Sequence, residues 1–302
     1  MKDPDLAGAR VLVVGLGDIG GTLAATLVAR GATVTGVRRG AAAPAGVELV
    51  RADAADPTAL ARLPDGFDSA VLCLTPDDYD EAGYRRGYLA PACALAERWR
   101  ERPPPQILWV SSTAVYGSAC GEIVDDATEP APDNFRGSVL LEAEAALRTT
   151  SAAVTAVRFS GLYGPGRTAL IRRVLEGRGA AAAPPHFTNR IHRDDAVAVL
   201  AFLIERFRSG AALPPSVIGS DPAPAPRHEV LAWLAAQLDV TLTSEEEGGP
   251  IRAPNRRLVP TALGRLGYRW RHADYRSGFA EVVEDARASG ELAKLRAAVA
   301  TS

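Results

Sequence analysis

The stretch that decides the fold is VLVVGLGDIG, residues 11–20. Its apolar first half predicts a short buried β-strand, and residues 18–30 predict the helix that follows. Gly15, Gly17 and Gly20 have the spacing G-x-G-x-x-G between the two. Glycines in this pattern allow a tight turn and let a dinucleotide pyrophosphate reach the backbone at the helix N-terminus. The residues of this loop that are predicted to bind a cofactor are Gly15, Gly17, Asp18, Ile19 and Gly20.

The segments before residue 160 alternate between apolar runs and helical patterns. Strands are predicted at 32–37, 69–74, 106–111 and 153–159, and helices at 57–63, 77–101 and 137–150. Strands that are apolar throughout, with helices between them, are typical of a parallel sheet covered on both faces. The predicted fold class is therefore α/β, a Rossmann-type doubly wound parallel sheet with a small mixed C-terminal substrate domain.

The pattern becomes less regular after residue 160, where glycine and proline cluster. Amphipathic helical patterns follow at 194–208, 227–239 and 278–299. We predict that 1–165 form the dinucleotide-binding domain, to which 186–220 contribute a later strand and helix. The smaller substrate-binding domain is predicted to comprise 166–185 and 221–302.

The composition argues against several classes of protein. The chain has 302 residues, 47% of them hydrophobic, and its formal net charge of −2 argues against a nucleic-acid binder with a basic face. It has no apolar run of about 18 residues that would predict a membrane span, and no apolar signal core at its N-terminus. We therefore expect a cytoplasmic protein. The three cysteines and four histidines lack the spacing of a structural zinc site, so no metal is expected.

Two arginines beside the end of the second strand favour NADP over NAD. In dinucleotide-binding folds an acidic residue at this place binds the ribose 2′-hydroxyl of NAD, whereas arginine suits a 2′-phosphate. The residues here are Arg38 and Arg39, and the alternative is that both are solvated surface side chains. Asp53 lies in a loop that would reach the adenine; the alternative is that it caps a helix.

Three further motifs carry a family resemblance. SSTAVYG at 111–117, RFSGLYGPG at 158–166 and RIHRDD at 190–195 follow one another in the order and spacing of a known superfamily. They resemble the extended short-chain dehydrogenases/reductases of the NAD-dependent epimerase/dehydratase type. The resemblance covers residues 10–200 and implies a Rossmann domain with a small substrate domain. It also implies activity on nucleotide sugars or other hydroxyl- or carbonyl-bearing metabolites.

The chain departs from this family in its catalytic residues. The family uses a Ser or Thr that holds the substrate oxygen, and the resemblance assigns that role to Ser112. It also uses a Tyr, with a Lys four residues later, but Phe135 and Val139 align with these positions and 118–150 contain neither residue type. Phenylalanine cannot exchange a proton. Either another group supplies the proton, or the chain binds NADP without turnover, as a regulator or scaffold.

Several side chains are candidates for the missing acid. Tyr116 follows the strand 106–111 and is predicted to be catalytic, with an ordered water as the other proton source; alternatively it is a packing tyrosine whose hydroxyl is tied to backbone. His192 titrates near neutrality; alternatively it packs beneath a helix that Asp194 caps. Cys120 could face the pocket but has no evident histidine partner.

The resemblance assigns further residues to the two ligands. It places Thr75, Gly161 and Leu162 at the cofactor, and Tyr163, Arg167 and His192 at the substrate. Arg167 would bind an anionic substrate group; the alternative is a surface residue. The segment 251–257 (IRAPNRR) offers three more arginines that could clamp a phosphate or carboxylate, or that form a solvated loop.

The expected partner is a small-molecule substrate, with neither nucleic acid nor membrane. The family often forms dimers through a pair of helices, and the resemblance implies a homodimer through 77–101 and 137–150. Alternatively these helices belong to the core of one chain. A third reading of the whole chain, an interaction protein with a degenerate nucleotide site, is disfavoured by the complete set of glycines.

Overall fold

The computed structural model describes residues 6–117, 120–243 and 254–301. The strands of this part are, in chain order, β1 (Arg10–Val14), β2 (Thr33–Arg38), β3 (Val47–Arg51), β4 (Ser69–Leu72), β5 (Gln106–Ser112), β6 (Cys120–Asp125), β7 (Ala153–Phe159), β8 (Gly161–Tyr163), β9 (Phe187–Thr188), β10 (Arg190–His192), β11 (Ser216–Gly219), β12 (Ala225–Pro226) and β13 (Asn255–Val259). The helices are α1 (Asp18–Ala29), α2 (Pro57–Leu60), α3 (Glu81–Tyr84), α4 (Ala90–Arg98), α5 (Phe135–Leu147), α6 (Ala169–Leu175), α7 (Arg193–Arg208), α8 (Arg227–Leu238), α9 (Thr261–Leu266), α10 (Tyr275–Ala288) and α11 (Glu291–Ala300).

The central sheet has the order β11-β7-β5-β4-β1-β2-β3, and each neighbouring pair is parallel. This confirms the predicted doubly wound sheet. The chain runs outward from β1 to β3, then crosses back to β4 and continues toward β11. The direction of winding therefore reverses between β1 and β4. Open sheets of this kind bind ligands in the crevice beyond the carboxyl ends of the strands at such a point.

Both faces of the sheet are buried, which explains why its strands are apolar throughout. Along β1, Val11 and Val13 face one cluster of buried side chains, and Leu12 and Val14 face the other. This alternation is the two-residue period of a strand. Helices α1 and α7 cover the first face, and α4 and α5 cover the second. The ends of the strands are thus left for a site.

The helix predicted over 77–101 begins later and is interrupted. Asp80 caps α3 by accepting a hydrogen bond from the Gly83 amide at 2.7 Å, so the preceding residues form the loop beyond β4. A π-helical stretch, Arg85–Leu89, joins α3 to α4. A Cβ at Gly87 in this stretch would lie 2.6 Å from Pro76 Cα. The helix therefore packs directly against the loop beyond β4, at the carboxyl edge of the sheet.

A third cluster of buried side chains lies apart from the sheet. It joins the C-terminal helices α8, α10 and α11 to α6, through side chains such as Ile171, Leu231, Phe279 and Leu295. Not all of the C-terminal region belongs to it, since Leu263 packs in the first sheet cluster. The domain boundaries given above remain a prediction.

The helices expected to form a dimer bury apolar side chains within this chain. Leu95 of α4 and Leu140 and Leu147 of α5 belong to the second sheet cluster. The homodimer therefore remains a prediction. Among the described residues, none of the helices combines the length and the apolar character that crossing a membrane requires.

Candidate functional site

The three glycines of the first turn have the geometry that a bound pyrophosphate requires. Gly15 has φ +92°, and a Cβ on it would lie 2.3 Å from the Cys73 carbonyl oxygen. A Cβ on Gly20 would lie 2.0 Å from the Gly15 carbonyl oxygen. A Cβ on Gly17, by contrast, would meet nothing within 4 Å. Gly17 also precedes α1 without a capping side chain, so the helix N-terminus is open to an anion from this side. The loop therefore fits a dinucleotide.

A cavity of about 780 Å³ opens beside this loop, at the carboxyl ends of β1, β2 and β4. Its volume is within the usual range of about 300–1,000 Å³ for ligand pockets. The predicted cofactor residues that line it are Gly15, Gly17, Arg38, Arg39, Asp53 and Thr75. Ile19 lies outside the lining and packs into the first sheet cluster. Asp18 also lies outside it and pairs with Arg167 at 2.8 Å.

The two arginines predicted to select the cofactor already have partners in this cavity. Arg39 donates two hydrogen bonds to Asp77, at 2.6 and 2.7 Å, which raises the pKa of Arg39 and lowers that of Asp77. Arg38 Nη1 donates to the Ala42 carbonyl oxygen at 2.9 Å. Asp77 was not predicted from the sequence, although TPDDYD directly follows a strand end.

Asp53 lies at the cavity, and it does not cap a helix. Its Oδ1 accepts from the Ala55 amide at 2.9 Å, which closes a local turn. The residue that caps α2 is Asp56, which accepts from the Thr58 amide at 2.9 Å. The capping alternative for Asp53 is therefore corrected, and its place in the cavity wall agrees with an adenine-facing role.

Ser112 and Tyr116 lie close in the sequence but in different environments. Ser112 ends β5 half-buried and lines neither the cavity beside the glycine loop nor the one beside the turn 161–167. Its Oγ accepts from the Ala114 amide at 3.2 Å, and among the described residues its hydroxyl proton has no acceptor. Tyr116 is only 3% exposed, and its hydroxyl accepts from Arg158 Nη1 at 3.0 Å. Arg158 in turn pairs with the fully buried Glu144 at 2.8 Å.

Tyr116 is therefore held as a packing residue. Burial raises its pKa, and it lines neither of the two large cavities. The packing alternative placed this hydroxyl against backbone, whereas in the structure it is bound to the Arg158 side chain. Its burial away from both cavities disfavours Tyr116 as the proton donor and leaves an ordered water as the remaining source that we predicted. Cys120 is exposed in β6.

Two of the three arginines of the segment 251–257, Arg256 and Arg257, bind backbone and not an anion. Arg256 is buried and donates to the backbone carbonyl oxygens of Thr113, Tyr116 and Gly117. Burial lowers its pKa to about 10. Arg257 Nε donates to the Gly121 carbonyl oxygen at 2.8 Å. Both side chains hold backbone, so this expectation is corrected for them; Arg252 and the acidic run Glu245–Glu247 lie outside the described residues.

A second cavity of about 760 Å³ adjoins the turn 161–167. Its lining includes Tyr163 and Arg167, which were predicted to contact the substrate. Gly161 and Leu162, which were predicted to contact the cofactor, line this cavity and not the one beside the glycine loop. The charged residues of its lining are Arg167, Arg172, Arg173, Glu176, Arg178 and Arg190. Five of these six are arginines, so the lining carries a net positive charge. Arg167 already pairs with Asp18, and Arg178 with Glu176. Except for Arg167, these arginines were not predicted, because they become neighbours only when α6 and β10 meet.

His192 is enclosed and acts as a helix cap. It is fully buried, and its Nδ1 accepts from the Asp194 amide at 3.2 Å at the start of α7. The alternative named Asp194 as the cap of this helix, but the residue that caps it is His192. Burial, and then the neighbouring His272, lowers the pKa of His192. Because it does not line the second cavity, contact with a substrate is disfavoured.

Tyr163 reaches from the second cavity into the third cluster. Its ring packs on Phe279 at 4.4 Å and edge-on against His192 at 5.2 Å between centroids. Its hydroxyl is buried without a hydrogen-bond partner among the described residues, and a Cβ on Gly278 would lie 1.8 Å from it. Burial raises the pKa of Tyr163, so it is unsuited to donate a proton near neutrality.

His272 joins the C-terminal region to α7, which was not foreseen because the residues are far apart in the sequence. Its Nδ1 lies 2.9 Å from Asp195 Oδ2, and its Nε2 lies 3.1 Å from Glu281 Oε2. His192, His272 and Glu281 offer atoms within 4.8 Å of one another, which is a possible metal set that the sequence did not predict. Arg271 also binds Glu281, at 3.0 Å, so that carboxylate already has a cationic partner.

Comparison with known proteins gives a consistent family. Residues 15–206 match the model of the family described as NAD(P)H-binding. Protein YeeZ of Escherichia coli is 30% identical over 212 residues, which are 67% of this chain and 75% of YeeZ. A solved structure described as an NAD-dependent epimerase/dehydratase from Methylobacillus flagellatus is 34% identical, with a TM-score of 0.76. That match covers 92% of this chain and 99% of the other.

Two more distant structures share the fold. Human epimerase family protein SDR39U1 with NADPH is 22% identical, with a TM-score of 0.74 over 91% of this chain and 99% of its own. MoeE5 in complex with UDP-glucose and NAD is 23% identical, with a TM-score of 0.76 over 93% and 99%. At these identities the likeness supports the fold alone.

Proposed function

Because this chain belongs to the NAD(P)H-binding family, and within it to the epimerase/dehydratase type of extended short-chain dehydrogenases/reductases, we propose that it binds NADP and acts on an anionic metabolite bearing a hydroxyl or carbonyl group. The observation that carries this proposal is the pair of cavities. One contains the glycine loop with two arginines, and the other is rich in arginine.

The loop and the first cavity would hold the cofactor. The open approach at Gly17 suits the pyrophosphate, and Asp53 in the cavity wall would contact the adenine. Arg38 and Arg39 supply the positive charge that distinguishes a 2′-phosphate from a hydroxyl. When bound at this site, the nicotinamide supplies a hydride donor or acceptor.

The second cavity would hold the substrate through its negative charge. Arg172, Arg173 and Arg178 surround its volume with donors that match phosphate or carboxylate oxygens. MoeE5 was solved with UDP-glucose, which carries a diphosphate of this kind. We therefore place nucleotide-diphosphate sugars first among the substrate candidates. Ser112 lies at the end of β5 outside both cavity linings, and it keeps the role that the resemblance gives it, a hydrogen bond donated to the reacting oxygen once the substrate and cofactor are bound. An ordered water would supply the proton.

A second candidate function is cofactor binding without turnover. It is favoured by Phe135 at the start of α5, where the family has its tyrosine, and by the burial of Tyr116 away from both cavities. A regulator of this type would bind NADP and NADPH and leave a substrate panel unchanged. Function depends on the site and not on the fold, so the two candidates differ only in chemistry.

Calorimetric titration with NADP, NADPH, NAD and NADH tests the cofactor. We expect NADP to bind at least about tenfold more tightly than NAD, since a good bidentate arginine contact to phosphate is a strong charge-assisted hydrogen bond. Replacing both Arg38 and Arg39 by alanine should remove that preference. Equal affinities of the double variant and the natural protein for NADP would contradict the selector assignment.

Incubation of the NADP-loaded protein with UDP-sugars tests the chemistry. Products are separated by chromatography, because an epimerase regenerates NADP in each cycle and the absorbance of the cofactor does not report its turnover. Conversion of any sugar supports the enzyme. NADP binding with no conversion across the panel supports the regulator.

A further inference from the structure

The geometry points to Asp77 as a determinant of cofactor choice, which competes with a 2′-phosphate for Arg39. This inference deepens the proposed function and rests on cofactor binding in the first cavity. Asp77 lies in the loop after β4, and Arg39 lies directly after β2. Their hydrogen bonds of 2.6 and 2.7 Å use two guanidinium nitrogens and both carboxylate oxygens. The fork that would bind a phosphate is therefore occupied.

The position of this pair in the sheet makes the competition unavoidable. Strands β2 and β4 flank β1 on either side, and β1 ends in the glycine loop. The Arg39–Asp77 pair therefore spans the carboxyl edge of the sheet beside the place where the dinucleotide must enter. Both residues line the cavity of about 780 Å³. A 2′-phosphate that binds Arg39 must displace Asp77 or accept it as a neighbour.

The pair is exposed enough to open. The side chains are 63% and 67% exposed, and exposed ion pairs are individually weak. Once opened, Asp77 remains a negative charge near a phosphate that carries about two negative charges of its own. NAD lacks this phosphate, so its binding does not require the pair to open. Asp77 should therefore weaken NADP binding selectively.

A neighbouring residue provides a matched control. Asp78 lines the same cavity and pairs with Arg86 at 2.7 Å, with both side chains similarly exposed. Asp77→Asn and Asp78→Asn each remove one negative charge from adjacent positions. Only the first releases Arg39. A general electrostatic effect would appear in both variants, whereas competition for Arg39 would appear in one.

The experiment is calorimetric titration of the full chain and its variants with NADP and with NAD. For Asp77→Asn we expect NADP to bind about three- to tenfold more tightly, with NAD changed less than about twofold, given the modest strength of exposed pairs. Asp78→Asn should raise the preference for NADP over NAD by less than about twofold, because it leaves Arg39 paired with Asp77. In an Arg39→Ala background, Asp77→Asn should no longer tighten NADP binding.

Three results would overturn the proposal. They are weaker NADP binding by Asp77→Asn, an equal change for both cofactors, and persistence of the gain without Arg39. Failure of the proposed function is distinguishable, because it appears in the natural protein. If that protein prefers NAD, the NADP assignment fails, while a selective gain in Asp77→Asn still supports competition. If neither the natural protein nor Asp77→Asn binds either cofactor, both proposals fail. Circular dichroism of the variants shows whether they are folded.

Discussion

Ser112 ends β5, where its oxygen accepts from the Ala114 amide and its hydroxyl proton has no acceptor among the described residues. We expect Ser112→Ala to lower turnover by more than about tenfold, because a hydrogen bond made to the reacting oxygen strengthens in the transition state. The Kd for NADP should stay within about twofold, because this hydroxyl serves the substrate. Steady-state kinetics with the substrate found in the UDP-sugar panel, together with calorimetry, measure the two effects.

Ser138→Ala provides the control for this prediction. Ser138 lies in the first turn of α5, and its hydroxyl donates to the Asn134 carbonyl oxygen at 3.3 Å, within the same helix. Its loss should leave turnover unchanged. Full activity in Ser112→Ala would end the assignment of this residue to the substrate oxygen.

His192 should make the fold sensitive to acid. Burial, together with His272, lowers its pKa in the folded protein, although Asp194, Asp195 and Glu281 act in the opposite direction. His192 therefore has a higher pKa in the unfolded chain than in the folded one, and the unfolded chain binds the proton first as the pH falls. The free energy of unfolding consequently decreases as the pH falls below about 6.5. Because asparagine also caps helices, His192→Asn should retain the acceptor and remove the titration.

Thermal unfolding between pH 7.5 and 5.5 tests this prediction. The Tm of His192→Asn, relative to the natural protein, should rise as the pH falls. His228→Asn, at the start of α8, is the matched control and should follow the natural protein more closely. A constant difference between His192→Asn and the natural protein across this range would show that His192 does not contribute.

The strand–turn–helix element of β1 and α1 separates two roles of glycine. On Gly17 a Cβ meets nothing within 4 Å, so Gly17→Ala should cost only about 1 kcal/mol or less through the weaker N-cap. It should nevertheless weaken NADP binding by more than about tenfold, because the methyl group occupies the approach of the pyrophosphate. On Gly20 a Cβ would lie 2.0 Å from backbone, so Gly20→Ala should destabilise the fold by about 1–3 kcal/mol or more.

Thermal unfolding and calorimetry on the two variants distinguish these roles. Gly17→Ala is expected to keep its Tm near the natural value and lose affinity. Gly20→Ala is expected to have a lower Tm than the natural protein, because its Cβ would clash with the Gly15 carbonyl oxygen. A Gly17→Ala variant that binds NADP normally would show that the pyrophosphate does not approach at this glycine.

Elements with a strong local pattern were predictable from the sequence, and those shaped by packing were not. The apolar strand in RVLVVG and the helix after it appear as β1 and α1, because strand length, period and glycine positions are local properties. The helix predicted over 77–101 begins at Glu81 and contains a π-helical stretch. That stretch packs on Pro76, and such tertiary contact leaves no mark in the local periodicity.

At the scale of the molecule, the sequence predicted the cofactor side of the site better than the substrate side. The glycines and Arg38 follow single strands, so their position at the carboxyl edge comes from the fold class alone. The arginines of the second cavity come from the turn between β8 and α6, from α6, from the loop after α6 and from β10, which only the tertiary structure brings together. Tyr116 was placed at the right strand end, but the buried Arg158 that holds its hydroxyl could not be foreseen.

The C-terminal region supports the sheet as well as the third cluster, which bears on how the chain divides. Strand β13 pairs with β6, and Arg256 within it holds three carbonyl groups of the turn beside Ser112. Asp126 accepts from the Thr261 hydroxyl at 2.9 Å and the Ala262 amide at 2.7 Å. A chain cut after residue 220 would lose all of these hydrogen bonds, each worth about 0.5–1.5 kcal/mol net.

We therefore expect a fragment of residues 1–220 to lack a cooperative unfolding transition and to bind no NADP, although it contains the glycine loop and both selector arginines. The fragment would also expose the apolar surface against which Leu258 and Leu263 pack in the full chain. A global stability of about 5–15 kcal/mol is too small to compensate for both losses. A fragment of residues 1–289 loses only α11, which packs in the third cluster. It should keep NADP binding. Circular dichroism melts and calorimetry of both fragments decide the matter: a cooperative, NADP-binding 1–220 fragment would show that the sheet folds without the C-terminal region, as an independent domain.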